Sequence, residues 1–89
     1  MIKKELKIIN KLGMHARATA KFVTAAGQFS SEILLANSNL QANGKSIMGV
    51  MMLAAAQGTT VTLSADGADE QKAFSTLEAL INDRFGEGE

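Results

Sequence analysis

The sequence predicts an α+β fold, an open-faced β-sandwich in which a four-stranded antiparallel sheet carries three helices on one face, in the order βαββαβα. Two observations point there. Short segments with apolar and polar residues in alternation are interspersed with Ala- and Leu-rich segments of helical spacing. Asn, Asp and Gly separate them, because the chain contains no Pro to mark its turns.

The first strand is predicted over residues 2 to 9, where Leu6 and Ile8 alternate with Glu5, Lys7 and Ile9. Asn10 to Met14 reads as a loop. The Ala-rich stretch from Ala16 to Ala26 favours helix, with Ala16, Ala20 and Val23 as its buried stripe, Phe22 and Ala26 beside them, and Gly27 as its stop. Glu32 to Ala36 is a short apolar strand that turns at Asn37-Ser38-Asn39 and returns over Leu40 to Asn43. Ser46 stands where a helix N-cap belongs, ahead of Ile47 to Leu53, and Gln57-Gly58 closes that segment. Thr59 to Ala65 is the clearest strand: Val61, Leu63 and Ala65 alternate strictly with Thr60, Thr62 and Ser64, whose polar face is expected to be solvated. The last helix is predicted from Asp69 to Arg84, with Phe74, Leu77, Leu80 and Ile81 inward and Asp69 and Glu70 at its positive end. Gly86 to Glu89 reads as a frayed tail.

Composition removes several classes of function. With 46% hydrophobic and 20% charged residues and a net charge of +0, the chain is not of disordered type. Nine basic residues balance nine acidic ones, and there is no Trp or Tyr, so a nucleic-acid-binding surface is not expected. The absence of Cys excludes disulfides and thiolate metal sites, and one His cannot build a zinc site. No metal or cofactor is therefore expected. The longest apolar run, Val50 to Ala56, is far short of the roughly 20 residues of a spanning helix, and residues 1 to 7 lack a signal-peptide core. No membrane insertion is expected, and the cytoplasm is the default location.

The chemistry concentrates at His15. It precedes a predicted helix start, where the first N–H groups lack intrahelical partners and the helix dipole is positive. Such an end binds phosphate and favours the neutral, nucleophilic imidazole. Arg17 adds a guanidinium fork suited to phosphoryl oxygens. Taken alone, a single His at a helix start is more often a surface or capping residue. The Met48, Met51 and Met52 group would ordinarily be core. A helix this short cannot bury every face, so at least one of Ile47, Met48 and Met51 is expected to be exposed while Val50 and Leu53 fill the core.

Asn10-Lys11-Leu12-Gly13-Met14-His15-Ala16-Arg17 resembles the active-site signature of the HPr phosphocarriers of the bacterial phosphotransferase system. Asn43 to Met51 resembles that family's second signature, and Ala54 to Thr59 and Asp66 to Glu70 fall where similar segments lie. The resemblance spans residues 1–89 as one HPr-like domain, with the sandwich fold already inferred. It implies that His15 accepts a phosphoryl group at Nδ1 from phosphorylated enzyme I and passes it to a IIA-type acceptor. Arg17 would neutralise the phosphoryl charge, with the backbone of Ala16, Arg17 and Ala18 holding its oxygens. Ser46 matches a serine phosphorylated by HPr kinase/phosphorylase in many members. Ala20, Ile47, Met48 and Met51 match the apolar patch that docks partners. Ala18 departs from the family, which usually has Pro there; Ala loses stiffness but restores a donor, so transfer is expected to survive.

The alternatives are a regulatory module of the same fold that never transfers phosphate, which would need neither His15 nor Arg17, and a small nucleic-acid-binding module, which the charge balance disfavours. An independent enzyme would need a second general base and a deep pocket. A monomer is expected, because a stable oligomer would cover the docking patch. The sugar branch, a nitrogen-related branch and a mainly regulatory role remain open as destinations of the phosphoryl group.

Overall fold

The computed structural model describes residues 1–88. Its elements are β1 (Ile2–Lys7), α1 (Ala16–Ala26), β2 (Glu32–Ala36), β3 (Gln41–Asn43), α2 (Ile47–Met52), β4 (Thr60–Asp66) and α3 (Glu70–Asn82), followed by a short turn, Arg84–Gly86. The strands form one antiparallel sheet in the order β1-β4-β2-β3. This is the α+β sandwich that the alternation predicts.

The register explains the strand order. β4, the most strictly alternating segment, takes an inner position. Val61 pairs with Leu6, Leu63 with Leu35, and Ala65 with Ile33, so one sheet face is continuously apolar and buried. Phe22 from α1 and Phe74, Leu77 and Ile81 from α3 complete the core on that face. Burying one such side chain contributes about 1.5–3 kcal/mol. The edges are β1, with Lys3, Lys4, Glu5 and Lys7, and the three-residue β3; charge and shortness both discourage a further strand from pairing there.

The opposite face departs from its expected solvation. Thr60 is exposed, but Thr62 is half-buried and Ser64 is buried. Ser64 lies between Lys3 of β1 and Leu34 of β2, and these longer side chains shield the small hydroxyl.

The buried stripe of α1 is also rotated from the predicted one. Ala18, Thr19, Phe22 and Ala26 are buried, Val23 is half-buried, and Ala16 and Ala20 are exposed. Phe22 is the only large apolar side chain able to reach the core centre, and its i−4 and i+4 neighbours, Ala18 and Ala26, follow it inward. Thr19 is accommodated because its hydroxyl donates to the Met14 carbonyl at 3.1 Å.

Element ends shift too. β1 ends at Lys7, although Ile8 still exchanges backbone bonds with Thr59 and Gly58 at 2.9 and 2.7 Å. α2 stops at Met52, ahead of Ala54 at φ 48°. α3 ends at Asn82 rather than Arg84, and Leu80 is only half-buried. Asp69 does not cap α3 with its side chain. It instead accepts from the Ser30 and Ser31 N–H groups, both at 2.9 Å, and from the Ser31 hydroxyl, joining the turn before β2 to the start of α3. The Ser31 hydroxyl, followed by the Ser30 N–H, holds the Asp69 carboxyl down at about 2, against an ordinary 3.8.

Gly13 sits at φ +66°, and a Cβ there would lie 2.5 Å from the Ala55 carbonyl oxygen. Gly13→Ala should therefore cost about 2–4 kcal/mol in urea denaturation, combining left-handed strain with a backbone clash; an unchanged midpoint would mean that the loop yields freely. Asp69→Asn should lower stability at neutral pH. Because the folded carboxyl titrates below its ordinary value, its contribution is complete above 3.8 and disappears as pH falls through about 2. The stability gap between wild type and variant should close over that window, and a gap constant across it would exclude charge as the origin.

Candidate functional site

The site grows out of the loop between β1 and α1. Met14 buries its side chain in the core and donates its N–H to Ala55 O at 2.8 Å, while Gly13 N–H closes the loop onto Asn10 O at 3.1 Å. His15 follows as the N-cap of α1, with extended backbone (φ −72°, ψ 178°). Its carbonyl accepts from Thr19 N–H at 2.9 Å, beginning the helix, and its Nδ1 accepts from Arg17 N–H at 3.3 Å. An imidazole thus occupies the place that a Ser or Asp side chain usually takes at a helix start.

An acceptor at Nδ1 leaves the ring proton on Nε2. That atom pairs with the Glu87 carboxylate through Oε2. The other carboxylate oxygen of Glu87 accepts from Asn10 Nδ2 at 2.9 Å, and the same amide donates to Gly13 O at 2.8 Å. Asn10 is fully buried. Its amide first, and His15 second, hold the Glu87 carboxyl below the usual carboxylate range.

The predicted frayed tail is therefore corrected at Gly86 and Glu87, whose N–H groups bond to Asp83 and Arg84 carbonyls; Glu89 lies outside the described residues. Arg84 and Phe85 both adopt positive φ, at 56° and 54°, and reverse the chain after α3. Phe85 is completely buried in the core, and Lys21 Nζ donates to its carbonyl at 2.7 Å. Gly86 continues at φ 77°, and Glu87 arrives beside His15. Hydrophobic periodicity carries no trace of this contact, which joins residues far apart in the chain. Phe85, an apolar residue directly beyond the predicted helix, is the one trace of it in the sequence.

An open cleft of about 640 Å³ lies over the site, bordered by Lys11, Leu12, His15, Arg17, Lys21 and Glu87. The His15 side chain is 27% exposed, enough for a reacting group to reach it. Ala16 and Arg17 are exposed and Ala18 is buried, with the first turn of α1 running from His15. The surroundings are mainly cationic, with one anion held against Nε2. That arrangement can receive an anionic group near Nδ1 without bringing it onto the carboxylate.

Ser46 caps α2 as predicted, its Oγ accepting from Gly49 N–H at 3.1 Å. Val50 and Leu53 are buried, while Ile47, Met48 and Met51 are exposed, Met48 to 77%. Met52 and Leu12 are exposed as well, and neither is among the predicted docking residues. α2 packs against α1, on which Ala20 is exposed. Among the described residues, no group of His, Cys, Asp and Glu side chains could hold a metal ion, and no helix is long and apolar enough to cross a membrane.

Comparison with known proteins agrees with this geometry. The family model for the PTS HPr component phosphorylation site matches residues 2–83. A phosphocarrier protein HPr from Neisseria meningitidis is 56% identical over 89 residues, covering 100% of both chains. A crystal structure of HPr-C-His from Thermoanaerobacter tengcongensis superposes with a TM-score of 0.94 at 47% identity, covering 98% of each chain. A crystal structure of an HPr dimer from the same organism gives a TM-score of 0.79 at 47% identity, covering 98% of this chain and 100% of that one. The family match across both signatures, the identity along the whole chain and the shared sandwich converge: this chain belongs to the HPr family, the phosphocarrier proteins of the phosphotransferase system, which relay phosphoryl groups and are not themselves enzymes.

Proposed function

We propose that His15 is the phosphoryl acceptor, taking the group at Nδ1 from phosphorylated enzyme I and passing it to a IIA-type acceptor protein. The observation that carries this reading is the position of the imidazole as N-cap of α1, with Nδ1 turned to the amide end of the helix. The first-turn N–H groups of Ala16, Arg17 and Ala18 face the arriving phosphoryl oxygens, and the Arg17 guanidinium balances their charge. Ala18, in place of the Pro usual in the family, contributes an N–H that Pro would lack. Catalysis then consists of positioning and charge stabilisation, with the bond-making atoms supplied by two docked proteins.

The docking surface is Ala20 with Ile47, Met48 and Met51. Exposed methionines adapt to differently shaped partners, which suits a carrier that meets a donor and an acceptor in turn. Ser46, half-buried at the start of α2, is the regulatory site for an HPr kinase/phosphorylase. A phosphoryl group there would add about −1.5 to −2 charges beside the patch and repel partners that present acidic groups. The carrier works in the cytoplasm as a monomer, since partner docking needs the α2 surface free; sedimentation showing a stable dimer with Met48 protected would overturn that state.

Mass spectrometry after incubation with phosphoenolpyruvate and enzyme I should detect one acid-labile phosphoryl group, absent from His15→Ala. Failure of wild type to label, with the same enzyme I active on another carrier, would overturn the proposal. Arg17→Ala should slow phosphorylation about a hundredfold with little loss of stability, as expected for removal of one oxyanion stabiliser; a rate within twofold of wild type would remove Arg17 from the site. Met48→Glu should weaken enzyme I binding about tenfold or more while leaving the urea midpoint unchanged, as measured by calorimetry and denaturation. A midpoint shift without a binding change would make Met48 a packing residue.

A further inference from the structure

The C-terminal turn has features that a passive tail does not need. Two successive non-glycine residues, Arg84 and Phe85, are held at positive φ, a conformation that L side chains rarely adopt. Phe85 is buried in the core and Lys21 binds its carbonyl, so both sides of the turn are anchored. Strain of this kind persists only where the surroundings impose it, and it gathers at functional sites. Its result is a carboxylate delivered to Nε2 of His15. A fully buried amide, Asn10 Nδ2, holds that carboxylate from behind and holds the loop carbonyl of Gly13 as well.

From this chain of contacts we propose that Glu87 is a positioning residue for phosphoryl transfer: its carboxylate keeps the ring proton on Nε2, so that Nδ1 presents its lone pair at the amino end of α1. The proposal rests on His15 being the acceptor and adds a residue to that reading. In the transfer step a bond forms between Nδ1 and phosphorus. The bond from phosphorus to the donor protein's phosphorylated side chain breaks, and its electron pair stays with the donor atom. The ring proton remains on Nε2, and the positive charge that develops on the imidazole lies against Glu87. The same arrangement of carboxylate, imidazole and reacting atom fixes tautomer and ring orientation in hydrolytic triads. A blocking role fits the geometry less well, because Glu87 contacts the ring nitrogen remote from the Arg17 amide and leaves the Nδ1 side open.

The test uses the full chain, labelled with ¹⁵N, as wild type, Glu87→Ala, Glu87→Gln and His15→Ala. Imidazole ¹⁵N shifts report which nitrogen carries the proton, and rapid-quench single turnovers with phosphorylated enzyme I report the rate. Wild type should hold the proton on Nε2. Glu87→Ala should weaken that preference, which then rests on the Arg17 N–H alone, and slow phosphorylation about ten- to a hundredfold, the size of loss seen when the partner orienting a metal-bound His is removed. Glu87→Gln, which retains an acceptor oxygen, should keep the tautomer while losing rate through the missing charge. An unchanged tautomer or an unchanged rate in Glu87→Ala would overturn the proposal, and a slower rate with wild-type tautomer would make Glu87 an anchor of the tail only. Labelling of His15→Ala would instead overturn the acceptor assignment itself, so the two failures are distinguishable.

Discussion

The active end of the molecule depends on how the β1–α1 loop is clamped to the segment before β4. Met14 N–H reaches Ala55 O, Met14 buries its side chain, and Gly13 adopts a left-handed conformation in which a Cβ would strike the backbone of Ala55 and Ala56. Those contacts set where α1 begins. With that point set, His15 can only be the N-cap, Arg17 N–H can only meet Nδ1, and Phe22 points into the core two turns later. Moving the start by one residue would rotate every α1 side chain by about 100° and withdraw the imidazole from the helix end. The packing that stabilises the sheet and the geometry that presents the imidazole at the helix end are thus one set of contacts.

Charge is organised locally in a chain with no net charge. Two helix starts are capped by a side chain that accepts a backbone N–H: His15 on α1 and Ser46 on α2. Both ends favour an added anion, so phosphate at either position is compatible with the fold. Around His15 the opposing terms stay apart: the amide end and Arg17 lie toward Nδ1, and Glu87 lies at Nε2. Around Ser46 the neighbours are apolar and exposed, Ile47 and Met48 above all.

Much of this was legible in the sequence where one residue dominated its surroundings. The strict alternation of β4 placed it correctly, and its inner position follows from being apolar enough to be covered from both sides. Ser46 was legible because a hydroxyl before an apolar run has one favourable local use. The stripe of α1 was not, because its many alanines carry too little apolar area to choose a face, and Phe22 decided it through contacts with distant elements. Ser64 was misread for a related reason: alternation gives the face of a residue, whereas its cover comes from Lys3 and Leu34 on neighbouring strands.

Local chemistry alone determined the element types, the Ser46 cap and the exposure of apolar side chains on α2, since each depends on interactions within a few residues of chain; His15 was marked by its place before a helix start together with the family resemblance. Only the tertiary structure decided the rest of the site. Asn10, Glu87 and Phe85 come from the two ends of the sequence, and their roles exist only after the sheet brings β1 beside β4 and α3 folds back across it. A carboxylate in a Gly-rich tail has no local partner that would mark it. It becomes part of the site because a buried phenylalanine and a left-handed turn carry it to the imidazole.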